Sequence, residues 1–519
     1  MTWPRHKARG PDVTDRTSPA RERNGGGIAD DGPRPDVGSR ARTGVRLGIW
    51  TSIAQQAMSV GATLVLARLL TPTDFGVVAA VQSALGAGAL LLGLGLGTSV
   101  VRSPTADERF LSTLFYSGLV FASLVAAGFA VFSGVLSRMV GVASAQPYLA
   151  ALTPTLPLGV AGGVVRGLLV RRLRYRSVMT MEIVSASSYF AAELLLAWAG
   201  LGAWAVIIGL IVGQVVRTGG LLLAAGWWPR PAVSWSILRG QFAWSSGYLG
   251  ANGLGYMFKN MDYWAVGHYL GPQALGQYYV AFVLPDVVRV RIVSATGDVI
   301  TGSVAHLRRA SASVAQGYIR SVRLAAVAAL PVMLGIAVVA QPLVLTMFGS
   351  TWTPAVASLR ILALAVLIDA ISAPAAAVLL AVAAPRVLFG LSALRVAVMG
   401  AFLVLVLFRP SLVGVALSVL VATCAASLPA LFLGGRAVGA TANATLGALV
   451  RPLPSAAMCC IVAAVVLALL DTAAPAQRLV AATLAGGSVY VLMMWAMGGH
   501  TRDDLLGAVQ LLLPARNRA

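Results

Sequence analysis

Ionisable side chains sit inside runs that are otherwise apolar, and they set what chemistry the chain can do. Lys259 and Asp262 fall three residues apart in one run, and Asp286, Arg289 and Arg291 fall in the next. Asp369 and Arg395 lie near the middle of two later runs, and Glu193 lies in an earlier one. A charge at mid-bilayer costs ~2.5–3.5 kcal/mol on the insertion scale, so each is a functional candidate if the runs cross a membrane. Lys259 is singular: apart from Lys7 near the N-terminus, the chain uses Arg for every other permanent cation. An ammonium deep in a helix needs a counter-ion or a water-filled cavity. Either Asp262 neutralises it locally, three residues on, or it faces a polar path.

The other charges sort by spacing. Asp286 and Arg289 are one turn apart and placed to pair. Arg289 and Arg291 point about 200° apart around a helix, and Asp298 shares a face with Arg291. Arg166 and Arg360 are nearer the ends of their runs and are expected to snorkel. Lys259, Arg289, Arg291 and Arg395 outnumber Asp262, Asp286 and Asp369. This cationic set, with Asp262 among its members, suits an anionic substrate, and guanidinium groups match phosphate geometry. Glu193 and Asp369 are candidate coupling-ion acids, with Glu182 nearer a membrane edge. There is no GxxxxGK[ST] phosphate loop, so ATP hydrolysis by this chain is not expected. His6, His268, His306 and His500 have no metal-ligand spacing, and Cys424, Cys459 and Cys460 read as packing residues. We therefore expect no cofactor, no metal and no enzyme activity.

The elements that position these groups are membrane helices. The sequence is 58% hydrophobic and 11% charged, and its mean hydropathy is +0.82. Backbone groups in lipid must be satisfied within their own segment, so the apolar runs are helices. About fourteen spans are expected, at roughly 47–67, 77–100, 113–137, 148–170, 177–199, 201–225, 243–269, 276–300, 319–342, 355–382, 387–408, 411–435, 451–470 and 478–499. The net charge of +21 comes mostly from Arg flanking those runs, which points to lipid headgroups and topology rather than nucleic acid. Arginines concentrate in alternate loops, so both termini are expected in the cytoplasm. Residues 1–44 lack an apolar run and read as a disordered cytoplasmic tail; 500–519 read as a second cytoplasmic tail.

A repeat organises the spans. LTPTDFG at 70–76 returns as LGPQALG at 270–276, each copy a turn between two long apolar runs. Two homologous bundles follow, with a substrate path at their interface that opens to each side in turn. Residues 45–225 form an N-lobe of spans 1–6, 226–242 a linker, and 243–435 a C-lobe of spans 7–12. Spans 13 and 14, within 436–499, lie outside that symmetry. The fold class is all-α integral membrane, and the residues read as a transporter.

ARLLTPTDFG at 67–76 with GLGLG at 93–97 resembles the opening of polysaccharide-export flippases of the multidrug/oligosaccharidyl-lipid/polysaccharide exporter superfamily. RRLRYR at 171–176, NMDYWAVGHYLGPQALGQY at 260–278 and FGSTW at 348–352 carry the same resemblance, which covers about 47–400. It is nearest the branch that exports colanic-acid-type or teichuronic-acid-type repeat units. The resemblance implies a plasma-membrane flippase that carries polyprenyl-diphosphate-linked oligosaccharide to the outer leaflet for cell-surface polysaccharide. It implies that glycan and membrane lipids as partners, with a glycan polymerase and glycosyltransferases in the same pathway. A multidrug or ion antiporter of the superfamily and a peptidoglycan-precursor flippase are the alternative readings.

Overall fold

The structure is a computed structural model that describes residues 37–92, 96–103, 107–231, 234–306, 311–382 and 385–496. The helices of the first half are α1 (Val37–Leu69), α2 (Pro72–Leu91), α3 (Leu96–Arg102), α4 (Glu108–Val131), α5 (Ser133–Met139), α6 (Gln146–Leu152), α7 (Thr155–Arg171), α8 (Tyr175–Trp198) and α9 (Ala203–Ala225). The second half holds α10 (Trp235–His306), α11 (Ser311–Val338), α12 (Ala340–Met347), α13 (Ala355–Val382), α14 (Pro385–Val406) and α15 (Leu412–Ala437). Then follow α16 (Ala442–Val450), α17 (Leu453–Leu469) and α18 (Pro475–Ala496). Among the described residues there is no β-strand.

Ten helical stretches among the described residues are long and apolar enough to cross a membrane. They correspond to the expected spans 2–4, 6 and 9–14. The other four expected spans fall on α1, α8 and the two halves of α10, which fall short of that apolarity. Their polarity has a source: Gln55 and Gln56, Glu182 and Glu193, Lys259 to Asp262, and Asp286 with Arg289. Helix also extends past two boundaries drawn from composition. α1 begins at Val37, so 37–44 are helical rather than tail, and α10 begins at Trp235, inside the expected linker. Backbone hydrogen bonding sets a helix end, and it need not coincide with the end of an apolar run. The expected tails 1–36 and 500–519 lie outside the described residues.

The repeat builds the centre of the molecule. At the first copy, Thr71 caps α2: its hydroxyl accepts from Asp74 N at 3.2 Å, while Asp74 accepts from Thr71 N at 3.0 Å. Pro72 takes the first helical position, where a missing N–H costs nothing. At the second copy the 72-residue α10 breaks at Gly271, whose φ of 83° and ψ of 178° are open to glycine, and Pro272 restarts the helix.

The two copies then cross each other. A Cβ on Gly76 would lie 1.7 Å from the carbonyl oxygen of Pro272, and one on Gly276 would lie 1.8 Å from that of Pro72. Each copy's glycine therefore receives the other copy's proline. Reciprocal contacts flank the crossing. Trp352 Nε1 donates to Ala67 O at 3.1 Å and Arg68 Nη2 to Thr346 O at 2.6 Å. On the other side, Gly267 and Gly141 leave no room for a Cβ against Val140 and His268 respectively. Phe75, Leu275, Tyr278 and Trp352 fill the core between them, with the Phe75 and Trp352 rings edge to face at 5.2 Å.

The arginines of 171–176 have local work at the opposite end of the helices. Arg172 Nη1 donates to Ala225 O at 3.0 Å and Arg174 Nη1 to Ala224 O at 3.3 Å, while Arg171 reaches Val100 O and Ser103 O. These carbonyls end α9 and α3, where orphan acceptors and the negative helix end favour cations. α17 and α18 pack against α11, where Tyr490 donates to Val327 O at 2.8 Å.

Candidate functional site

α10 contributes both of its halves to a cavity of about 140 Å³, closed by α13, α14 and α15. The first half brings Phe258, Lys259 and Asp262; the second brings Asp286 and Arg289. Asp369 enters from α13, Arg395 from α14 and Thr423 from α15. Gly271 makes this possible, because the break turns the second half of α10 back beside the first.

The charges inside are ordered by contact. Arg395 Nη2 lies 2.7 Å from Asp369 Oδ1 and 3.2 Å from Thr423 Oγ1, and its guanidinium stacks 4.1 Å from the Phe258 ring centroid. Arg289 binds Asp286 at 2.7 Å and lies 3.6 Å from the second oxygen of Asp369. Asp369 thus bridges two guanidinium groups, and Asp286, Arg289, Asp369 and Arg395 form one chain of alternating charge. Asp369, one of the two candidate coupling-ion acids, is held between both arginines.

Asp262 does not pair with Lys259. It is buried, accepts from the Tyr278 hydroxyl at 2.9 Å and from Tyr263 N at 2.9 Å, and so faces the core. The i,i+3 pair allowed by spacing is replaced by a partner sixteen residues on, which only the return of α10 brings near. The cavity lining holds three cations, Lys259, Arg289 and Arg395, and three carboxylates, Asp262, Asp286 and Asp369. Within this lining the described cations and carboxylates are thus equal in number. The Arg291 side chain lies outside the described residues.

Lys259 is the exception. Among the described residues no carboxylate forms an ion pair with it, and its side chain is exposed. It also lines a second cavity of about 380 Å³, between α2 and α10. Gln82 and Ser83 come from α2; Tyr256, Asn260, Tyr263, Tyr279 and Asp286 come from α10. Lys259 thus stands where the space between the two halves meets the cavity of the second half. The Tyr256 hydroxyl donates to Ser83 O and ties the walls together.

The first half holds its own cluster. Glu182 bridges Arg217 at 2.8 Å and Arg166 at 3.4 Å, joining α7, α8 and α9, and Gln55 of α1 donates to Glu182 O at 3.1 Å. Arg166, expected to snorkel, has a carboxylate partner instead. Arg217 was missed by the sequence reading, although a lone Arg eight residues before the end of α9 was visible. Glu193 is buried on α8. Among the described residues no group of His, Cys, Asp and Glu could hold a metal ion.

The fold and this polar interior define an integral membrane protein of two pseudo-symmetric helical halves with charged groups at and beside their interface. Residues 65–357 match the polysaccharide biosynthesis protein family, and the chain belongs to it. It is 27% identical over 300 residues to the succinoglycan biosynthesis transport protein ExoT of Rhizobium meliloti (strain 1021), covering 58% of this chain. That match spans 61% of the length of ExoT. It is 21% identical over 359 residues to the teichuronic acid biosynthesis protein TuaB of Bacillus subtilis (strain 168), covering 67% of this chain and 72% of that one. The lipid II flippase MurJ, in an inward closed conformation, has the same fold: TM-score 0.70 at 12% identity, over 86% of this chain and 97% of that one.

Proposed function

We propose that this protein is a flippase of the plasma membrane that moves a polyprenyl-diphosphate-linked oligosaccharide to the outer leaflet for cell-surface polysaccharide synthesis. The observation that carries the reading is Lys259: an exposed ammonium without an ion pair among the described residues, at the junction of the interlobe cavity and a charge-balanced network. A diphosphate cannot cross hydrocarbon unaided, and an available cation on a polar path offsets part of its desolvation. The Asp–Arg chain behind Lys259 holds the cavity wall polar without competing for the substrate. A drug antiporter of this fold would be better served by an available acid at that junction.

In this reading there are fourteen spans with both termini cytoplasmic, an N-lobe of spans 1–6, a C-lobe of spans 7–12, and spans 13 and 14 outside the symmetry. The two lobes open the path to each side in turn, and the lipid tail stays in the bilayer. Glycosyltransferases build the cargo and a glycan polymerase consumes it. Deleting the gene and restoring it with Lys259 variants tests the reading, by measuring exported glycan and lipid-linked glycan left in the inner leaflet. Restored export by Lys259→Ala at normal abundance would remove the central support.

A further inference from the structure

The two cavities that meet at Lys259 are lined by different chemistry. Six charged side chains line the cavity of the second half, whereas only Lys259 and Asp286 among them line the interlobe cavity. The rest of the polar lining there is amide and hydroxyl, from Gln82, Ser83, Asn260 and three tyrosines. At about 380 Å³ the space falls within the ~300–1,000 Å³ of small-ligand sites.

Some of these groups hold the walls together. Tyr256 donates to Ser83 O, and the Ser83 hydroxyl donates to Ala80 O at 2.9 Å. Gly86 admits the approach, since a Cβ there would lie 3.0 Å from the Tyr256 ring. Asn260 Nδ2 donates to Tyr256 O at 2.9 Å, which fixes the amide and leaves its oxygen to accept. Other groups are uncommitted. Among the described residues, the Gln82 amide and the Tyr263 and Tyr279 hydroxyls make no hydrogen bond. Arg289 meets Asp286 only at Oδ1, through Nε at 2.8 Å and Nη2 at 2.7 Å, so Oδ2 is open to a further donor. Polar groups lining a cavity without protein partners are placed to bind a polar ligand.

Aromatic rings complete the lining. Tyr279 and Phe282 stand at 78° and 69° to Tyr263, with centroids 6.3 and 6.4 Å away. Rings set nearly at right angles offer flat faces in more than one direction. A pyranose has the matching surface, with C–H groups on its faces and hydroxyls around its rim. Its C–H groups pack on the electron-rich ring face, and its hydroxyls both donate and accept, which suits amides and a carboxylate. A phosphate offers acceptors alone and has no use for Asn260 Oδ1 or Asp286 Oδ2.

We propose that the interlobe cavity binds a sugar ring of the cargo, with Gln82 and Tyr263 as specificity-determining contacts. The proposal rests on the flippase reading above, with the diphosphate at Lys259. A sugar joined to that diphosphate lies beside it, and Lys259 lines both cavities. Gln82 belongs to α2 and Tyr263 to α10, so the ring bridges the two halves. Recognition of sugar is then separable from recognition of charge.

The test compares two probes on the full-length protein in lipid nanodiscs, by microscale thermophoresis. One is undecaprenyl diphosphate; the other is the polyprenyl-diphosphate-linked glycan extracted from cells deleted for the gene. The unaltered protein should bind the glycan-bearing probe about 10-fold tighter or more, the scale of one stacking contact with a hydrogen bond. Gln82→Leu and Tyr263→Leu should each bring that ratio toward one while leaving undecaprenyl diphosphate affinity unchanged. Tyr263→Phe, which keeps the ring, should keep more of the ratio than Leu. Lys259→Ala should weaken both probes alike and keep the ratio.

A ratio near one in the unaltered protein overturns the proposal. So does Gln82→Leu with an unchanged ratio, or with equal losses for both probes. That variant decides even where Tyr263→Leu fails to fold, because the Gln82 side chain holds no described neighbour. Deleted cells that accumulate no lipid-linked glycan overturn the flippase reading and this proposal with it, whereas a ratio near one overturns the proposal alone.

Discussion

Lys259 and Asp262 stand three residues apart on α10 and line one cavity, yet Lys259 also lines the interlobe cavity while Asp262 accepts from the Tyr278 hydroxyl. Proximity in sequence therefore does not make them a pair, and their losses should not compensate. Lys259→Ala is expected to lower glycan export about 10-fold or more, the scale of losing one charge-assisted contact. Lys259→Arg should keep more activity than Ala. Adding Asp262→Ala to Lys259→Ala should give no recovery, and full recovery would restore the local ion-pair account. Export and membrane abundance, measured together in all four proteins, decide it.

The Asp369 bridge makes a different prediction, on stability. Asp369→Asn leaves Arg289 and Arg395 facing each other across the cavity without their shared acid. The expected cost is ~1–3 kcal/mol, below the value for a fully buried pair because these side chains are about a quarter exposed. Adding Arg395→Gln should return part of it. Thermal unfolding of the detergent-purified proteins would show a lower midpoint for the single change and a partial return in the double. Equal midpoints in all three would mean that the bridge holds nothing.

Much of this was legible in the sequence, and the part that was not has a common cause. Apolar runs announced the spans, and the spacing of 70–76 and 270–276 announced two copies. Asp286 with Arg289 was readable because one helix turn sets that contact. Asp262 with Tyr278, Asp369 with Arg395, and Glu182 with Arg166 and Arg217 were not, since each depends on which helices become neighbours. In the cavity lining, described cations and carboxylates are equal in number for the same reason. Counting charges along a chain does not say which ones share a cavity, and pairing consumed two of the three cations that line this one.

Crowding at the crossing separates glycines that look alike in sequence. Gly76→Ala places a methyl group within 1.7 Å of a backbone oxygen, which only separation of the two helices relieves. Gly128→Ala on α4 meets nothing within 4 Å. The first should destabilise by ~1–3 kcal/mol or more and reduce membrane abundance, and the second should leave abundance unchanged. Fluorescence-detected size exclusion of tagged proteins compares them directly, and similar profiles would contradict the close approach.

The proposed topology puts the arginine-rich loops in the cytoplasm. In a protein lacking Cys424, Cys459 and Cys460, single cysteines at Gln273 and Ser350 should react with an impermeant maleimide added to intact cells. Cysteines at Arg109 and Arg451 should react only after the membrane is opened. All four positions are exposed, so burial does not confuse the result. The reverse pattern would place both termini outside.

The glycine–proline crossing also bears on how such a molecule could arise. Gly76 meets Pro272 and Gly276 meets Pro72, so the contact is the same surface used twice about a two-fold axis. A single unit carrying one Pro-x-x-x-Gly turn could make this joint with a second copy of itself. Fusion of two such units into one gene would leave the joint intact while freeing each half to diverge. The divergence is visible: the first half keeps an Arg–Glu–Arg cluster and a buried acid, and the second keeps Lys259 and the bridged aspartates. Symmetry was retained where the halves touch and abandoned where they do different work.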